Sequence, residues 1–434
     1  MRIIHTADWH LGQTFFGYDR AAEHTRFFDW LKTVAKGKSA DLLLVSGDVY
    51  DTQNPSAESQ RLFYRFIKEL NEENPSLQVI IIAGNHDSGA RLEAPNPLLD
   101  LYNVQVRGYV HRTDDDIDYK RHIIPIKDSA GELSAYCLAV PYLRQGDFPK
   151  ADSYSKGVEA LYTKLYETAA KMLNGCKSNN CNVHAGVGGQ TVPIIAMGHL
   201  YANGASVLDD DRTEGIVVGG LDAVETSAFP AGLAYTALGH LHKAQIVGGS
   251  NNIKYSGAPL PMSFAERNYR QGVVFIEITG SGKGGNKVTI EQLAYDSPVS
   301  LLRIPNDGYG ELKEVLDDIS LLPDKFFGET EPFAPFLEVR LKFCEHDPAI
   351  LPAIEKAIEN KNVRLARIVQ SKQDGTDSDD EVTVATVDDL NSIKPLEMMK
   401  RIYSRNSGGV QMSESLEKLL FSVMDDVEKE EDGL

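Results

Sequence analysis

Residues 41–51 read DLLLVSGDVYD, and residues 78–87 read QVIIIAGNHD. Each is an apolar run of strand length that ends in a glycine and polar residues, and such a run predicts a strand buried on both faces of a sheet. Between them, Ser56 suits the N-cap of a helix, and the apolar residues of that helix recur at helical spacing: Leu62, Phe63, Phe66, Ile67 and Leu70. The pattern predicts an α/β sheet with ligand groups beyond the carboxyl ends of its strands.

The flanking sequence extends this pattern. Arg2–Thr6 predicts a strand that ends at Asp8, and Glu23–Lys36 carries apolar residues at helical spacing. From about residue 104 strands predominate, although a long helix over about Tyr154–Leu173 interrupts them. We expect the later strands to form a second sheet packed on the first, which gives a four-layer α/β sandwich of two mixed sheets flanked by helices: His122–Ile126, Ser134–Val140, Ile194–Met197, Ala234–Leu238, Ile253–Tyr255, Gly272–Ile278 and Val288–Leu293.

Three parts follow one another along the chain in this prediction. Residues 1–296 hold the sandwich, residues 297–392 a small α/β cap domain with an acidic linker, and residues 393–434 a helical pair. The cap domain has the order β-α-β-α-β, and its second helix is predicted to be capped by Asp347. Its elements are predicted over Val299–Ile304, Glu311–Ile319, Phe336–Phe343, Pro348–Glu359 and Val363–Val369.

The two C-terminal helices each carry an apolar stripe that a lone helix cannot bury. The stripes either pack back on their own domain or form a surface for a partner protein. The acidic linker before them and the acidic tail after them favour the partner surface. The first stripe comprises Leu396, Met399, Ile402 and Tyr403, and the second comprises Leu416, Leu419, Leu420, Val423, Met424 and Val427.

Composition restricts the class of protein. The 434 residues carry a net charge of -19, which argues against a protein that binds nucleic acid through a broadly positive surface. No stretch could span a bilayer, no signal-peptide pattern opens the chain, and four cysteines are too few for a disulfide scaffold, so we expect a cytoplasmic protein. The loop Gly175–Gln190, with Cys176, Cys181 and His184, suits a surface insertion better than a zinc site because a fourth ligand is missing.

Five short motifs at predicted strand ends supply carboxylates, an amide and imidazoles, the donor set for two divalent metals that share one site. They are Asp8-Trp-His10, Gly47-Asp48-Val-Tyr-Asp51, Gly84-Asn85-His86-Asp87, Gly198-His199 and Gly239-His240-Leu-His242. The candidate metal ligands are Asp8, His10, Asp48, Asn85, His199, His240 and His242.

The predicted chemistry is hydrolysis of a phosphate ester. Asp48 has two carboxylate oxygens and is placed to bridge two metals, which together activate water and neutralise a phosphoryl group. His86, beside a ligating asparagine, is the candidate catalytic group at the leaving oxygen. It would act as a cation, and we expect the Asp51 carboxylate to be the partner that supports its charge. The other histidines are expected to be ordinary core or surface residues: His5, His24, His111, His122, His184 and His346.

The five motifs resemble those of the calcineurin-like metallophosphoesterases. The wider strings HTADWHLG at 5–12, GDVYDT at 47–52, AGNHDS at 83–88, GHLH at 239–242 and YSGAP at 255–259 are similar to the nuclease subunits of bacterial SbcCD complexes. The resemblance implies that Asp8, His10, Asp48 and His242 bind one metal and that His86 is catalytic. It assigns the second metal to Asp48, Asn85, His199 and His240. Archaeal and eukaryotic relatives carry a histidine at the position of Asp51.

The resemblance also implies the cofactor and the partners. Two manganese ions, cleavage of DNA ends and hairpins, an SbcC-type ATPase bound through residues 393–434 and a homodimer within a heterotetramer are all family expectations. The implied activities are those of a 3′ to 5′ exonuclease on duplex ends and an endonuclease on hairpins and single strands. Candidate DNA contacts are Arg91, Arg107, Arg112, Arg267 and Arg270.

Two rival functions stay open from the sequence. One is a small-molecule phosphodiesterase or protein phosphatase that uses the same metals, although neither needs a cap domain or an amphipathic tail. The other is a non-catalytic scaffold that docks an ATPase on DNA, although the full ligand set with His86 argues against a degenerate site.

Overall fold

A computed structural model of the chain describes residues 1–113, 116–128, 130–178, 192–205, 223–281, 285–326, 332–342, 349–371 and 382–383. Contacts between main chains divide it into two compact units. The first unit comprises Met1–Leu302, Pro323–Phe336 and Asn360–Arg364, and the second comprises the remainder.

The described strands and helices follow the predicted order closely. The strands are β1 (Arg2–Thr6), β2 (Thr14–Phe15), β3 (Tyr18–Asp19), β4 (Leu42–Ser46), β5 (Gln78–Ile82), β6 (Val104–Arg107), β7 (Ile123–Lys127), β8 (Leu133–Ala139), β9 (Ile194–His199), β10 (Tyr235–Gly239), β11 (Gln245–Val247), β12 (Ser250–Tyr255), β13 (Gly272–Ser281), β14 (Gly285–Ala294), β15 (Leu301–Ile304), β16 (Phe336–Leu341), β17 (Arg364–Gln370) and β18 (Val382–Thr383). The helices are α1 (Ala21–Gly37), α2 (Ala57–Glu73), α3 (Gly89–Glu93), α4 (Asn96–Leu99), α5 (Tyr154–Ser178), α6 (Leu312–Ser320) and α7 (Ile350–Ile358).

The first sheet of the sandwich has the strand order β14-β13-β1-β4-β5-β6. Strands β1, β4, β5 and β6 run parallel, as the apolar runs predict, and β13 pairs antiparallel with β1. The prediction that Gly272–Ile278 and Val288–Leu293 belong to the second sheet is wrong, because β13 and β14 complete the first. Alternating apolar residues predict a strand but do not encode the edge with which it pairs.

The second sheet, with the order β11-β12-β10-β9-β8-β7, packs its apolar face on the first. Ile3, Leu44 and Ile80 of the first sheet lie in one buried cluster with residues of the second, such as Ile195 and Met197. Helices α1 and α2 cover the outer face of the first sheet, and α5 covers that of the second. The predicted four-layer sandwich is confirmed.

Helix α2 illustrates how local sequence and packing agree. Its N-cap is Ser56, as predicted, and the Ser56 hydroxyl accepts the Ser59 main-chain N–H at 3.1 Å. Its buried face presents Phe63, Phe66 and Leu70 to the first sheet. These side chains lie in one apolar cluster with Val45 of β4 and Ile81 of β5, the strands that lead to the second and third motifs.

The second unit contains most residues of the sheet β15-β16-β17-β18 and the helices α6 and α7, which contact each other. Helix α6 begins with a capping box formed by Glu311 and Glu314. Helix α7 has Ala349 at its N-cap and so begins later than predicted; Asp347 lies outside the described residues. Buried within the sheet, Glu338 meets three arginines, namely Arg303, Arg340 and Arg367.

Several predictions fall outside the described part of the chain. These are the acidic linker, apart from Val382–Thr383, the whole tail of residues 393–434, the histidines His184 and His346, and residues 179–190 of the predicted loop. The start of that loop was predicted wrongly, because residues 175–178 continue α5 past its predicted end at about Leu173. In the part of the chain that the structure covers, no helix combines the length and the apolarity needed to cross a membrane.

Replacing Phe66 with alanine is expected to destabilise the sandwich by about 3–5 kcal/mol. The Phe66 ring stacks on Phe28 with centroids 4.1 Å apart and meets Trp9 edge-on at 5.5 Å. Denaturant unfolding followed by circular dichroism measures the loss. Leu321→Ala, at a side chain that is 83% exposed, is the control and should cost less than about 0.5 kcal/mol. Equal costs for the two variants would contradict this account of the helix layer.

Candidate metal centre

The motif residues meet where strands of the two sheets end. Asp8 follows β1, Asp48 follows β4 and Asn85 follows β5, whereas His199 ends β9 and His240 follows β10. Strands β4 and β10 are joined across the sandwich by the Ser46 hydroxyl, which donates to the Ala237 carbonyl at 3.2 Å. Parallel strands place their carboxyl ends at one edge of a sheet, so the two sheets bring their motifs to a common edge.

Four motif residues adopt left-handed backbone conformations that side chains other than glycine rarely take. Their φ values are 55° at Asp8, 47° at His10, 49° at Asp48 and 103° at His240. Main-chain hydrogen bonds hold the first two loops together: the Asp8 N–H donates to Gly47 O and the His10 N–H to Asp48 O, both at 3.0 Å. Such strain persists where surrounding structure over-determines it, as at functional sites.

Glycines directly before Asp48, Asn85 and His240 allow the loops to approach closely. A Cβ atom at Gly47 would clash with the His199 ring, and one at Gly84 would clash with the Asp48 carboxylate. At Gly239 a Cβ atom would clash with the main-chain carbonyl of Ser46. These glycines are therefore required by the close packing of the motifs against one another.

Asp48 lies at the centre of two clusters of potential ligand atoms. Its Oδ2 is 3.7 Å from His10 Nε2 and 3.2 Å from His199 Nε2. One cluster contains Asp8, His10 and Asp48, the other contains Asp48, His199 and His240, and within each the ligand atoms lie no more than 4.8 Å apart. The arrangement suits a carboxylate that bridges two cations.

Asn85 joins the second cluster through its side-chain oxygen. Asn85 Oδ1 is 2.9 Å from His199 Nε2 and 3.0 Å from His240 Nδ1. His199 donates its Nδ1–H to the Ser46 carbonyl at 2.8 Å, so Nε2 is the ring atom that faces the oxygens of Asn85 and Asp48 and that would offer its lone pair to a cation once its proton is displaced. His199 Nε2, Asn85 Oδ1 and Asp48 Oδ2 converge, and a bound cation would satisfy all three. A carbonyl that accepts the other ring N–H of the imidazole, as Ser46 does here, is typical of metal sites.

Two buried polar atoms at the first cluster have no hydrogen-bond partner among the described residues. They are Asp8 Oδ2 and His10 Nε2, and the two residues are 0% and 4% exposed. The other Asp8 oxygen accepts the His240 main-chain N–H at 2.9 Å. Leaving such groups unsatisfied is costly, so their position beside the Asp48 carboxylate fits a divalent cation bound among them.

The electrostatic field of the centre favours positive charge. Burial lowers the pKa of His199, but the Asp48 and Asp8 carboxylates outweigh it and raise that pKa to about 9. Burial likewise opposes ionisation of Asp48, yet the nearby His199 ring holds the pKa of that carboxyl well below its usual range. Burial, and then the positive charge of His199, lower the pKa of His240 to about 3. The His240 ring is therefore neutral and can offer an electron pair to a cation.

His86 is exposed at the edge of the two clusters, where a substrate could reach it. Its main-chain N–H donates to Asp48 Oδ1 at 2.9 Å, and its ring lies 4.8 Å from that of His10. The ring donates Nδ1–H to the main-chain carbonyl of Asp51 at 2.9 Å. The Asp51 carboxylate lies 3.3 Å from His10 Nδ1. Ligand atoms of His10, Asp51 and His86 also lie within 4.8 Å of one another, so the support of the His86 charge by the Asp51 carboxylate stays a prediction, while the hydrogen bond of the ring goes to the Asp51 main chain.

Two supporting carboxylates, Asp87 and Glu266, were not predicted from the sequence. Asp87 is buried and accepts the main-chain N–H groups of Val49, Tyr50 and Gly84, so it ties the second motif to the third. Burial and then the Asp48 charge raise the pKa of Asp87 to about 6. The only sign of a functional role for Asp87 in the sequence was its position inside the third motif. Glu266, which contacts His242, lies outside every motif, so nothing in the sequence indicated its role.

The remaining described histidines have structural partners. His5 contacts the Tyr235 hydroxyl, His122 the Ala139 carbonyl and His111 the Glu93 carboxylate. His24 is 2.7 Å from the Trp9 carbonyl, to which its Nε2 donates, and so it holds the loop of the first motif. Three candidate DNA-binding arginines contact neighbouring groups: Arg91 meets Asn54, Arg107 meets the Arg121 carbonyl and Arg112 meets the Gly146 carbonyl.

Known proteins are similar to this chain over most of its length. A family profile described as calcineurin-like phosphoesterase matches residues 1–244, and one described as type 5 capsule protein repressor C-terminal domain matches residues 297–407. The SbcCD nuclease subunit of Rhodobacter capsulatus is 39% identical over 375 residues, which cover 84% of this chain and 86% of that protein. The Escherichia coli protein of the same name is 36% identical over 272 residues, 61% of this chain and 62% of its own length. The Bacillus subtilis protein of that name is 29% identical over 435 residues, 99% of this chain and 100% of its own length.

Asp48→Asn is expected to weaken both metal sites, whereas Asn85→Ala should weaken mainly one, because Asp48 alone belongs to both ligand clusters. Metal affinity should fall at least about tenfold at each affected site, because removal of a residue that only hydrogen-bonds to a metal ligand already causes a loss of that size. Calorimetric titration with Mn²⁺ of the wild type and both variants measures it. Two sites of unchanged affinity in Asp48→Asn would contradict the bridging role.

Proposed function

We propose that this chain, which belongs to the calcineurin-like phosphoesterases and within them to the family of SbcCD nuclease subunits, is a two-metal-dependent DNA nuclease that acts in repair. The observation that carries this proposal is the pair of ligand clusters that share Asp48, with the exposed His86 at their edge. The relatives named as nuclease subunits supply the class of substrate.

The proposed division of ligands follows the clusters. Asp8, His10, Asp48 and His242 would hold one ion, and the other would be held by Asp48, Asn85, His199 and His240. The mixed carboxylate, amide and imidazole set suits manganese, a borderline-hard divalent metal, and manganese is our proposed cofactor. When bound, the two cations supply Lewis-acid chemistry, namely activation of water and neutralisation of phosphoryl charge.

His86 is the proposed catalytic residue. Because its Nδ1–H donates to the Asp51 carbonyl, its Nε2 is the ring atom left for a substrate. In the cationic form Nε2 carries a proton and can donate to the oxygen that leaves when the phosphodiester bond breaks. Asp51 would assist by orienting the ring, while the main-chain contact of His86 with Asp48 keeps that ring beside the metal ligands.

The proposed activities are 3′ to 5′ exonuclease action on duplex ends and endonuclease action on hairpins and single strands. A chain with a net charge of -19 is expected to bind DNA, itself a polyanion, weakly. The partner protein and the bound metals would therefore contribute much of the affinity for DNA. The candidate DNA contacts remain Arg91, Arg107, Arg112, Arg267 and Arg270, of which Arg91, Arg112 and Arg270 are exposed.

An SbcC-type ATPase is the proposed partner, bound through residues 393–434. The relatives are named as one subunit of an SbcCD complex. The three-part organisation into residues 1–296, 297–392 and 393–434 is retained as part of this proposal. A homodimer within a heterotetramer would suit the exposed apolar side chains Tyr64, Leu98 and Leu101, which are 37%, 66% and 79% exposed.

Cleavage assays on two substrates test the nuclease proposal against a small-molecule phosphodiesterase. The purified protein with Mn²⁺ is incubated with a labelled hairpin duplex and, separately, with a chromogenic phosphodiester. We expect metal-dependent cleavage of the hairpin, abolished by a chelator. Activity on the chromogenic ester alone would favour the small-molecule enzyme, and activity on neither would favour the scaffold.

His86→Asn is expected to remove nuclease activity and to leave the metal content near that of the wild type, because His86 faces the substrate side. Metal analysis of the purified variant beside the hairpin assay measures both quantities. His111→Asn, at a histidine paired with Glu93, is the matched control and should keep both. Loss of both metals together with activity in His86→Asn would show that His86 is a ligand.

Truncation at about residue 392 should abolish stable association with an SbcC-type ATPase. Each leucine of the tail stripes would contribute about 1.5–3 kcal/mol on burial, before ordering costs. Manganese-dependent cleavage by the isolated chain should survive, because every proposed ligand precedes residue 243, whereas ATP-stimulated cleavage should not. Co-purification of the full-length and truncated proteins with the ATPase tests whether the tail is needed for this association. Continued co-elution of the truncated form would place the docking surface elsewhere.

A further inference from the structure

The segment Tyr255–Glu266, which follows the last motif, contacts both strand ends that carry the later histidines. Its first residue, Tyr255, is fully buried. The Tyr255 hydroxyl donates to the Leu200 carbonyl at 2.7 Å and accepts the Ala202 main-chain N–H at 2.9 Å. Tyr255 therefore holds the chain directly after His199.

The next residues of the segment hold His242 by its main chain. The Ala258 N–H donates to the His242 carbonyl at 3.0 Å. Gly257 has a φ of 77°, and a Cβ atom there would lie 2.7 Å from both the His242 carbonyl oxygen and the Ala244 nitrogen. The glycine of the YSGAP string is thus explained by its close approach to the main chain of His242.

The segment ends at Glu266, whose carboxylate contacts the ring of His242. The residue is 1% exposed, and its Oε1 is 2.9 Å from His242 Nδ1. Its Oε2 accepts the Met262 main-chain N–H at 2.8 Å. The neighbouring Pro261 carbonyl accepts from the buried Arg20 guanidinium at 2.7 Å. Both oxygens of the carboxylate are therefore engaged, and the loop that carries it is anchored to the start of α1.

This contact determines which ring nitrogen His242 can offer. A carboxylate only accepts hydrogen bonds, so Nδ1 carries the proton and Nε2 is the atom free to coordinate. The His242 ring lies edge-on to the His10 ring with centroids 5.3 Å apart, on the side of the Asp8 and His10 cluster. His199 has the same arrangement with a neutral partner, the Ser46 carbonyl, behind its Nδ1.

We propose that Glu266 is a positioning residue of the metal centre, which fixes the tautomer and orientation of His242 for the cation shared with Asp8 and His10. The inference rests on the proposed function. A carboxylate behind a coordinating imidazole orients the ring and raises its basicity, and removal of such a partner typically costs about 10- to 100-fold in metal affinity. The effect should be confined to one of the two sites, because Asn85, His199 and His240 do not contact Glu266.

Glu266→Gln tests the proposal through metal binding rather than through activity. Calorimetric titration with Mn²⁺ of the full chain should show one site weakened about 10- to 100-fold and the other unchanged. Glu93→Gln is the matched control, since Glu93 is also a buried glutamate within 2.7 Å of a histidine but belongs to no metal cluster among the described residues. It should retain two unchanged sites. Two unchanged sites in Glu266→Gln, or equal weakening of both, would overturn the proposal.

A double-variant cycle separates positioning from a purely structural role. If Glu266 acts through His242, adding Glu266→Gln to His242→Ala should cause no further loss of metal affinity. A further loss as large as that in the wild-type background would overturn the proposal, because Glu266 would then act independently of His242. Circular dichroism checks folding. Should Glu266→Gln fail to fold, Glu266→Asp, which keeps the charge but shortens the reach, takes its place in both experiments with the same expected direction.

The wild-type titration distinguishes failure of this inference from failure of the proposed function. A wild type that binds no pair of cations would overturn both. Two cations in the wild type without cleavage of DNA would overturn only the proposed nuclease, and the behaviour of Glu266→Gln would still decide the role of Glu266.

Discussion

The carboxylate of Asp48 is the point on which the arrangement of the sandwich depends. It is 2% exposed, yet it meets groups from three other strand ends: the His10 ring after β1, the His86 main chain after β5 and the His199 ring on β9. Two of these belong to the first sheet and one to the second. The sheets must therefore pack with their strand ends in register, and the loops must approach within side-chain distance.

That requirement accounts for the local backbone of the motifs. The glycines before Asp48, Asn85 and His240 are the residues at which a Cβ atom would prevent the approach. Left-handed conformations at Asp8 and Asp48 turn the chain sharply at the strand ends, and their cost is offset by contacts outside the ligand set. Asp87 binds main-chain N–H groups of the second and third motifs, and Trp9 fixes the first motif to α1 and α2.

Sequence reasoning predicted the features that repeat locally. Apolar runs predicted β4 and β5, Ser56 predicted the start of α2, and polar residues at strand ends predicted that the ligand motifs would meet. Features that depend on distant pairing were not predictable. The placement of β13 beside β1 joins residues more than 260 positions apart, and the contact of Glu266 with His242 depends on the path of an irregular loop. For Asp51, residue type predicted a carboxylate that supports the charge of His86, but it could not predict the hydrogen bond from the His86 ring to the Asp51 main-chain carbonyl, which depends on the path of the backbone.

Electron paramagnetic resonance of the protein loaded with two equivalents of Mn²⁺ tests the central claim most directly. The claim is that one carboxylate, Asp48, joins two cations in a single centre. Two manganese ions bridged by a carboxylate are close enough for their electron spins to couple, so the account predicts the spectrum of an exchange-coupled pair, lost in Asp48→Asn. A spectrum of isolated, uncoupled Mn²⁺ in the fully loaded wild type would contradict it.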